Sequence, residues 1–216
     1  MLTTKDIRKL FIEKLNNKEF IIDKTGVKTI ELMGCSFVSD EPAIFGEPNL
    51  EYEERELEWY RSMSLNVNDI PGGPPAIWKQ VADPEGFINS NYGNLIWSGE
   101  NGYQYAHVRE ELAKNPNSRR AVMIYNRPTI WDDYNKNGRS DFICTNAVGY
   151  LIRDDKLHAT VQMRSNDGHF GFRNDRAWQR YVQAELAMDL NVRIGDLIWN
   201  AMSLHFYERH FHLIKE

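Results

Sequence analysis

A single α+β domain, with helices and strands contributing to one core, is the fold class that this sequence predicts. First, 216 residues at 42% apolar content are enough for one compact domain, 1–216, with a full core. Second, stretches with helical apolar spacing (residues 2–15, 49–62 and 174–190) stand beside short runs rich in β-branched and aromatic residues (29–37, 142–152 and 156–163). Third, six Trp and ten Tyr point to buried aromatic surface, and no internal repeat or low-complexity linker interrupts the chain.

The elements follow in order. Leu2, Ile7, Leu10, Phe11 and Leu15 define a first helix, with Thr3 or Thr4 as its cap. Residues 20–23 and 29–37 read as strands around the turn Lys24-Thr25-Gly26. A helix over 49–62 places Leu50, Glu53, Leu57 and Tyr60 roughly on one face, with Glu56 beside it. Ile70-Pro71-Gly72-Gly73-Pro74-Pro75 is the strongest loop signal, yet aromatic-rich sequence resumes at Ile77-Trp78, so it is no domain boundary. Asn89-Ser90-Asn91-Tyr92-Gly93 reads as a turn, residues 103–114 as a helix ended by Asn115-Pro116, and residues 120–125 as a strand. Polar residues 127–141 read as a surface loop. Two strands follow, 142–152 with Cys144 inside it and 156–163 after the turn Arg153-Asp154-Asp155. The helix over 174–190 directs Ala177, Trp178, Tyr181, Val182 and Leu186 to the core, and a strand over 192–199 leads to His205 and Tyr207.

Composition excludes several classes. A net charge of −5 and a pI near 5.7 argue against non-specific nucleic-acid binding, so an anionic ligand needs a local basic pocket. Two cysteines, Cys35 and Cys144, make no disulfide framework, which fits an intracellular context. The N-terminus lacks a signal-peptide pattern, and apolar runs stop short of the roughly 18 residues of a membrane span. No Cys/His cluster has zinc spacing despite six histidines. The expectation is a cytoplasmic protein without metal or membrane partner.

The chemistry concentrates where a hairpin over 142–163 would bring Arg164, at the end of its second strand, close to Cys144 at the start of its first. A nearby guanidinium favours thiolate, the nucleophilic form, and the same Arg164 with the Ser165 hydroxyl suits a phosphate. On residue type alone the bland readings stay open. A free cysteine is usually a small buried hydrophobe, Glu56 in its acidic run a solvated helix surface, Lys24 and Ser118-Arg119-Arg120 surface turns, Trp78 a core aromatic, and Asp175 a helix-dipole carboxylate.

Arg164-Ser165-Asn166-Asp167, His205-Phe206-Tyr207, Ser118-Arg119-Arg120, Cys144, Glu56-Leu57-Glu58-Trp59-Tyr60, Ile77-Trp78 and Tyr92-Gly93 stand in the order and approximate spacing of one family. Over residues 20–212 the chain resembles the thymidylate synthase superfamily. The resemblance implies a thymidylate synthase-like fold, a central mixed β-sheet flanked by helices, and a sheet-mediated homodimer. It implies Cys144 as nucleophile and Glu56 as catalytic glutamate. Lys24, Arg164, Ser165 and Asp167 are placed with the nucleotide, with Arg119 and Arg120 reaching the phosphate in the partner subunit's site. His205 and Tyr207 bind the sugar 3′-hydroxyl, and Trp78 and Tyr92 line the folate and base pocket, Tyr92 with its hydroxyl within reach of the site.

Two departures set the branch. Asp175 stands where thymidylate synthases carry an asparagine that reads uracil; a carboxylate suits the amino group of cytosine, and the bacteriophage deoxycytidylate hydroxymethylases share it. Ile143-Cys144-Thr145 replaces the usual Pro-Cys-His. The chain also ends at Glu216, short of the family's closing C-terminal segment, so the expectation is either that other loops exclude water or that controlled water entry is part of the reaction. The resemblance then implies transfer of a one-carbon unit from 5,10-methylenetetrahydrofolate, as co-substrate, to C5 of deoxycytidylate, completed by water. Cytidylate or deoxyuridylate as acceptor, an ordinary thymidylate synthase and a non-catalytic nucleotide- or RNA-binding member remain alternatives.

Overall fold

The computed structural model describes residues 1–215. Its elements in chain order are β1 (Leu2–Thr3), α1 (Thr4–Asn16), β2 (Ile21–Ile22), β3 (Lys28–Val38), α2 (Leu50–Ser62), α3 (Ala76–Val81), α4 (Tyr92–Trp97), α5 (Gln104–Lys114), β4 (Val122–Ile124), α6 (Ile130–Asp133), β5 (Thr145–Arg153), β6 (Lys156–Met163), β7 (Asn166–Asp167), α7 (Phe170–Asp189) and β8 (Arg193–Tyr207). The chain falls into two compact units. One holds Met1–Pro48 and the chain from Arg153 on, and the other holds Asn49–Ile152.

The first unit is built on a mixed sheet. β1 runs parallel to β3, β3 antiparallel to β8, and β6 and β7 parallel to β8, while β2 pairs antiparallel with the start of β3. Helix α1 starts where Thr3 and Asp6 form a capping box: the Asp6 N–H donates to Thr3 Oγ1 at 3.3 Å, and the Thr3 N–H donates to Asp6 Oδ2 at 3.0 Å. Leu2, expected in that helix, is instead in β1 and exposed. Phe11 of α1 meets Phe206 edge-on at 4.8 Å, and Trp199 of β8 packs on Phe172 of α7 at 5.3 Å. These contacts place the core of this unit between the sheet and its helices.

Two boundaries differ from expectation, with consequences for the site. β8 runs on to Tyr207, with Leu204 and Phe206 buried like Ala201 and the inward–outward alternation shifted by one residue between Ala201 and Leu204. Helix α7 starts at Phe170 and not at Asn174, so its second turn carries Asp175.

The second unit is mostly helical, with the antiparallel pair β4–β5. On α2 the buried residues are Glu56, Trp59 and Tyr60, whereas Leu50 is exposed, so the apolar face expected from spacing is turned by aromatic packing. Trp78, Trp59, Tyr60, Tyr92 and Tyr125 form a continuous run of ring contacts, each at 5.2–5.4 Å between centroids. The expected turn at 89–93 opens α4: Asn91 caps it by accepting from the Asn94 N–H at 2.8 Å, and a Cβ at Gly93 would lie 1.8 Å from the Tyr60 carbonyl oxygen. Only glycine permits this approach of α4 to α2.

Candidate active site

In the first unit, residues expected around a nucleotide converge on one end of the sheet. Met163 is in register with Ala201 and Asn166 with Leu204, so β6 and β7 lie along one line of β8. Arg164 and Ser165 occupy the break between them, both half-buried. The two residues thus fall outside the named strands, between the end of β6 and the start of β7.

Asp167 is in register with His205, and its Oδ1 accepts from the His169 N–H at 2.9 Å. His205 Nδ1 lies 3.1 Å from Ser203 Oγ, which in turn donates to Glu31 Oε1. The Tyr207 ring meets His205 edge-on at 5.1 Å. Burial lowers the His205 pKa, opposed by the Asp167 and Glu31 carboxylates, so the imidazole is neutral at neutral pH. A neutral ring with one nitrogen held by Ser203 can exchange a hydrogen bond with a sugar hydroxyl through the other.

Asp175 is half-buried, and its Oδ2 accepts from Asn166 Nδ2 at 2.8 Å. It lies beyond the first turn of α7, where the helix dipole acts most strongly, which weakens the reading of a simple dipole carboxylate. Lys24 is exposed in the turn between β2 and β3, which is shaped by Asp23 Oδ1 accepting from the Thr25 and Val27 N–H groups at 2.8 and 3.0 Å. Thr29, just beyond that turn, is in register with Tyr207, so the turn borders the same sheet end.

The second unit holds the groups with reactive chemistry. Cys144 is half-buried immediately before β5 and not inside a strand as expected, with its Sγ 3.8 Å from the Phe142 carbonyl. The residue that follows, Thr145, is fully buried and donates from Oγ1 to Tyr92 Oη at 3.0 Å. Cys35 shows the contrast: burial pushes its thiol up to about 11, an inert sulfur within β3.

Glu56 is buried, not the solvated residue its acidic run suggests. Its Oε1 accepts from Tyr52 Oη at 2.6 Å and from Trp78 Nε1 at 3.0 Å. Burial pushes the Glu56 carboxyl above the usual range, and those two donors oppose the shift. The Tyr52 phenol is pushed up in turn by burial and by Glu56. The result is a carboxyl that holds its proton more tightly than an ordinary glutamate. Trp78 is half-buried, partner to this carboxyl through its N–H and to Trp59 edge-on through its ring. Tyr92 is buried, with its hydroxyl already accepting from Thr145. Arg119 and Arg120 are exposed, on a turn where buried Ser118 donates to Glu111 Oε1 at 2.5 Å and accepts from the Arg120 N–H at 3.1 Å.

Three residues of consequence escape sequence reasoning. Tyr52 stands four residues before Glu56 on α2, a helical spacing that puts both on one face and was available as a signal. Thr145 and Asn166 carry no such signal, because their partners Tyr92, Asp175 and Trp199 are brought in by tertiary packing. Among the described residues, no group of three or more His, Cys, Asp or Glu is arranged to hold a metal ion, and no helix is long and apolar enough to cross a membrane.

The chain is 57% identical to the deoxycytidylate 5-hydroxymethyltransferases of Enterobacteria phages T4, T2 and T6, an alignment covering 99% of this chain and 89% of theirs. It is 26% identical to the thymidylate synthase of Francisella philomiragia, over 90% of this chain and 76% of that one. Its fold matches that of the thermostable thymidylate synthase A from Bacillus subtilis with a TM-score of 0.72 at 21% identity, over 97% and 84% of the two chains. The thymidylate synthase family model matches residues 13–216. With the family model covering nearly the whole chain and relatives at 57% identity along it, this chain belongs to the thymidylate synthase family.

Proposed function

We propose that the protein is a deoxycytidylate 5-hydroxymethyltransferase, converting dCMP, 5,10-methylenetetrahydrofolate and water to 5-hydroxymethyl-dCMP and tetrahydrofolate. What supports this reading is the 57% identity to phage enzymes of that name, together with Asp175, the carboxylate that we assign to reading the base. A carboxylate accepts from the exocyclic amino group of cytosine and repels the O4 of uracil.

Pyrimidine C5 is a weak nucleophile until a group adds at C6. The Cys144 thiolate adds there, C5 attacks the methylene carbon of the opened folate, and loss of the C5 proton and of tetrahydrofolate leaves an exocyclic methylene. Water adds to that methylene as Cys144 leaves by elimination. Glu56 is the group for this water: its raised pKa lets it take a proton in one step and return it in another. Tyr52 and Trp78 fix the carboxyl in place for that exchange.

Arg164, Ser165 and Lys24 are assigned to the phosphate, Asp167 to the nucleotide, and His205 with Tyr207 to the 3′-hydroxyl. Trp78 offers an aromatic face on the edge of the folate pocket, and Tyr92, held by Thr145, a hydroxyl beside it. The protein is assigned as a sheet-mediated homodimer in which Arg119 and Arg120 reach the partner's phosphate. Exposed Met33 and Met202, on neighbouring strands β3 and β8, support this, because an apolar sheet surface gains from being covered. Its place of action is assigned to the cytoplasm, that of the host if the protein is phage-encoded.

The test is a product assay with purified protein, 5,10-methylenetetrahydrofolate and, separately, dCMP, CMP and dUMP, read by mass spectrometry. A gain of one CH₂O unit on dCMP, with tetrahydrofolate released, is the expected result. A gain of CH₂ on dUMP, with dihydrofolate formed, would return the chain to thymidylate synthesis.

A further inference from the structure

Asn166 occupies the position that the Arg-Ser-x-Asp motif leaves open, and it is 2% exposed. Its side chain has two partners. Trp199 Nε1 donates to Asn166 Oδ1 at 3.1 Å, and Asn166 Nδ2 donates to Asp175 Oδ2 at 2.8 Å. An indole N–H can only donate, so it settles which end of the amide faces which way. The oxygen must face Trp199, and the NH₂ must face Asp175.

We propose that Asn166, pinned by Trp199, is a positioning residue for base selection: it holds one oxygen of Asp175 as an acceptor and thereby presents the other to the cytosine amino group. This rests on the reading that Asp175 meets the base. An N–H donor against Oδ2 restricts the rotation of the carboxylate, so its other oxygen meets the base as an acceptor. Uracil would bring its O4 acceptor against it.

The surroundings make the arrangement rigid. Trp199 is fully buried and packs edge-on against Phe172, which in turn lies 5.8 Å from Phe37. Gly171 stands one helical turn before Asp175, and a Cβ there would come within 3.3 Å of Asn166 Nδ2 and 3.7 Å of Asp175 Oδ2. The absent side chain leaves room for β7 to reach the helix. All of these residues belong to the first compact unit.

The same geometry makes a prediction about substitution. In Asp175→Asn, the Asn166 NH₂ still demands an acceptor, so the new amide must turn its oxygen inward and its NH₂ towards the base, where it suits uracil O4. Without Asn166 that amide is free to face either way.

The experiment measures dissociation constants for dCMP and dUMP, kcat and KM on dCMP, and thermal unfolding. The proteins are the wild type, Asn166→Ala, Trp199→Phe, Asp175→Asn and the Asn166→Ala/Asp175→Asn pair. Asn166→Ala is expected to lower the preference for dCMP over dUMP by about tenfold, and Trp199→Phe, which keeps a ring and loses only the N–H, by about threefold. The loss should appear in KM more than in kcat. The double variant should lose the uracil preference that Asp175→Asn gains. A purely structural role would weaken both nucleotides equally and leave their ratio unmoved. That result in both Asn166→Ala and Trp199→Phe, with Asp175→Asn still switching preference, overturns the inference alone; should Asn166→Ala fail to fold, Trp199→Phe decides. An unmoved ratio in Asp175→Asn overturns the reading of Asp175, and this inference with it.

Discussion

Glu56 faces two opposing demands, because burial disfavours its charge while the proposed reaction needs that charge for part of each turnover. The native carboxyl binds its proton more tightly than the unfolded chain does, so stability falls as pH rises from the ordinary glutamate value towards the raised native one. Glu56→Gln keeps the shape and still accepts from Tyr52 and Trp78, without the charge. It should therefore be more stable than the parent at pH 8, by about 0.5–2 kcal/mol, with the difference closing towards pH 4, and it should lose turnover. Unfolding midpoints of the two proteins across that range check the sign. For Cys144 the expectation is simpler: Cys144→Ser should lower turnover at least about a thousandfold while dCMP binding stays within about threefold, since only the covalent step needs sulfur. Turnover assays paired with calorimetric titration separate the two effects.

Elements explain why some of these residues were legible in the sequence and others were not. Arg164-Ser165 belongs to a short motif, and Cys144 and Asp175 are located by the order and spacing of the motifs around them; neither signal needs knowledge of packing. Helix α4 was hidden, because Asn89-Ser90-Asn91 is turn chemistry and only the contact with α2 shows that Asn91 is a cap and Gly93 a close approach. Sequence spacing starts helix α7 one turn late, since Phe170-Gly171 lacks a sequence cap and the helix start is fixed by Asp167 and by buried Arg173, whose Nε donates to the His169 carbonyl at 2.7 Å. The buried side of α2 differs from the expected one for a related reason: spacing cannot show that Trp59 and Tyr60 belong to a ring stack spanning α3 and α4. Gly93→Ala tests the stack directly. Its methyl group would meet the Tyr60 carbonyl, against backbone that cannot rotate away, so a loss of about 3 kcal/mol or more is expected in denaturant unfolding, with Tyr92 displaced. A loss under about 1 kcal/mol would mean that α2 and α4 can separate freely.

At the scale of the whole molecule, the proposed homodimer makes each active site a joint product of two copies. Arg119 and Arg120 are exposed on a turn that Ser118 stiffens, as the proposed reach to a partner requires. If each site takes its cysteine from one copy and these arginines from the other, two inactive variants should complement. Arg119→Ala/Arg120→Ala keeps a working Cys144, and Cys144→Ser keeps working arginines. Mixed at equal amounts with subunit exchange, half of the dimers are hybrids, and each hybrid has one site with both an intact cysteine and intact arginines. Activity should then recover to about a quarter of the parent, the share expected for two-fold symmetric pairing. The recovered activity should keep the parent's KM for dCMP, because the surviving site is unaltered. Activity staying at the level of the separate variants, with hybrids present by native mass spectrometry, would assign the two arginines to their own chain's site. The dimer would then serve to cover the sheet face at Met33 and Met202 and not to complete the chemistry.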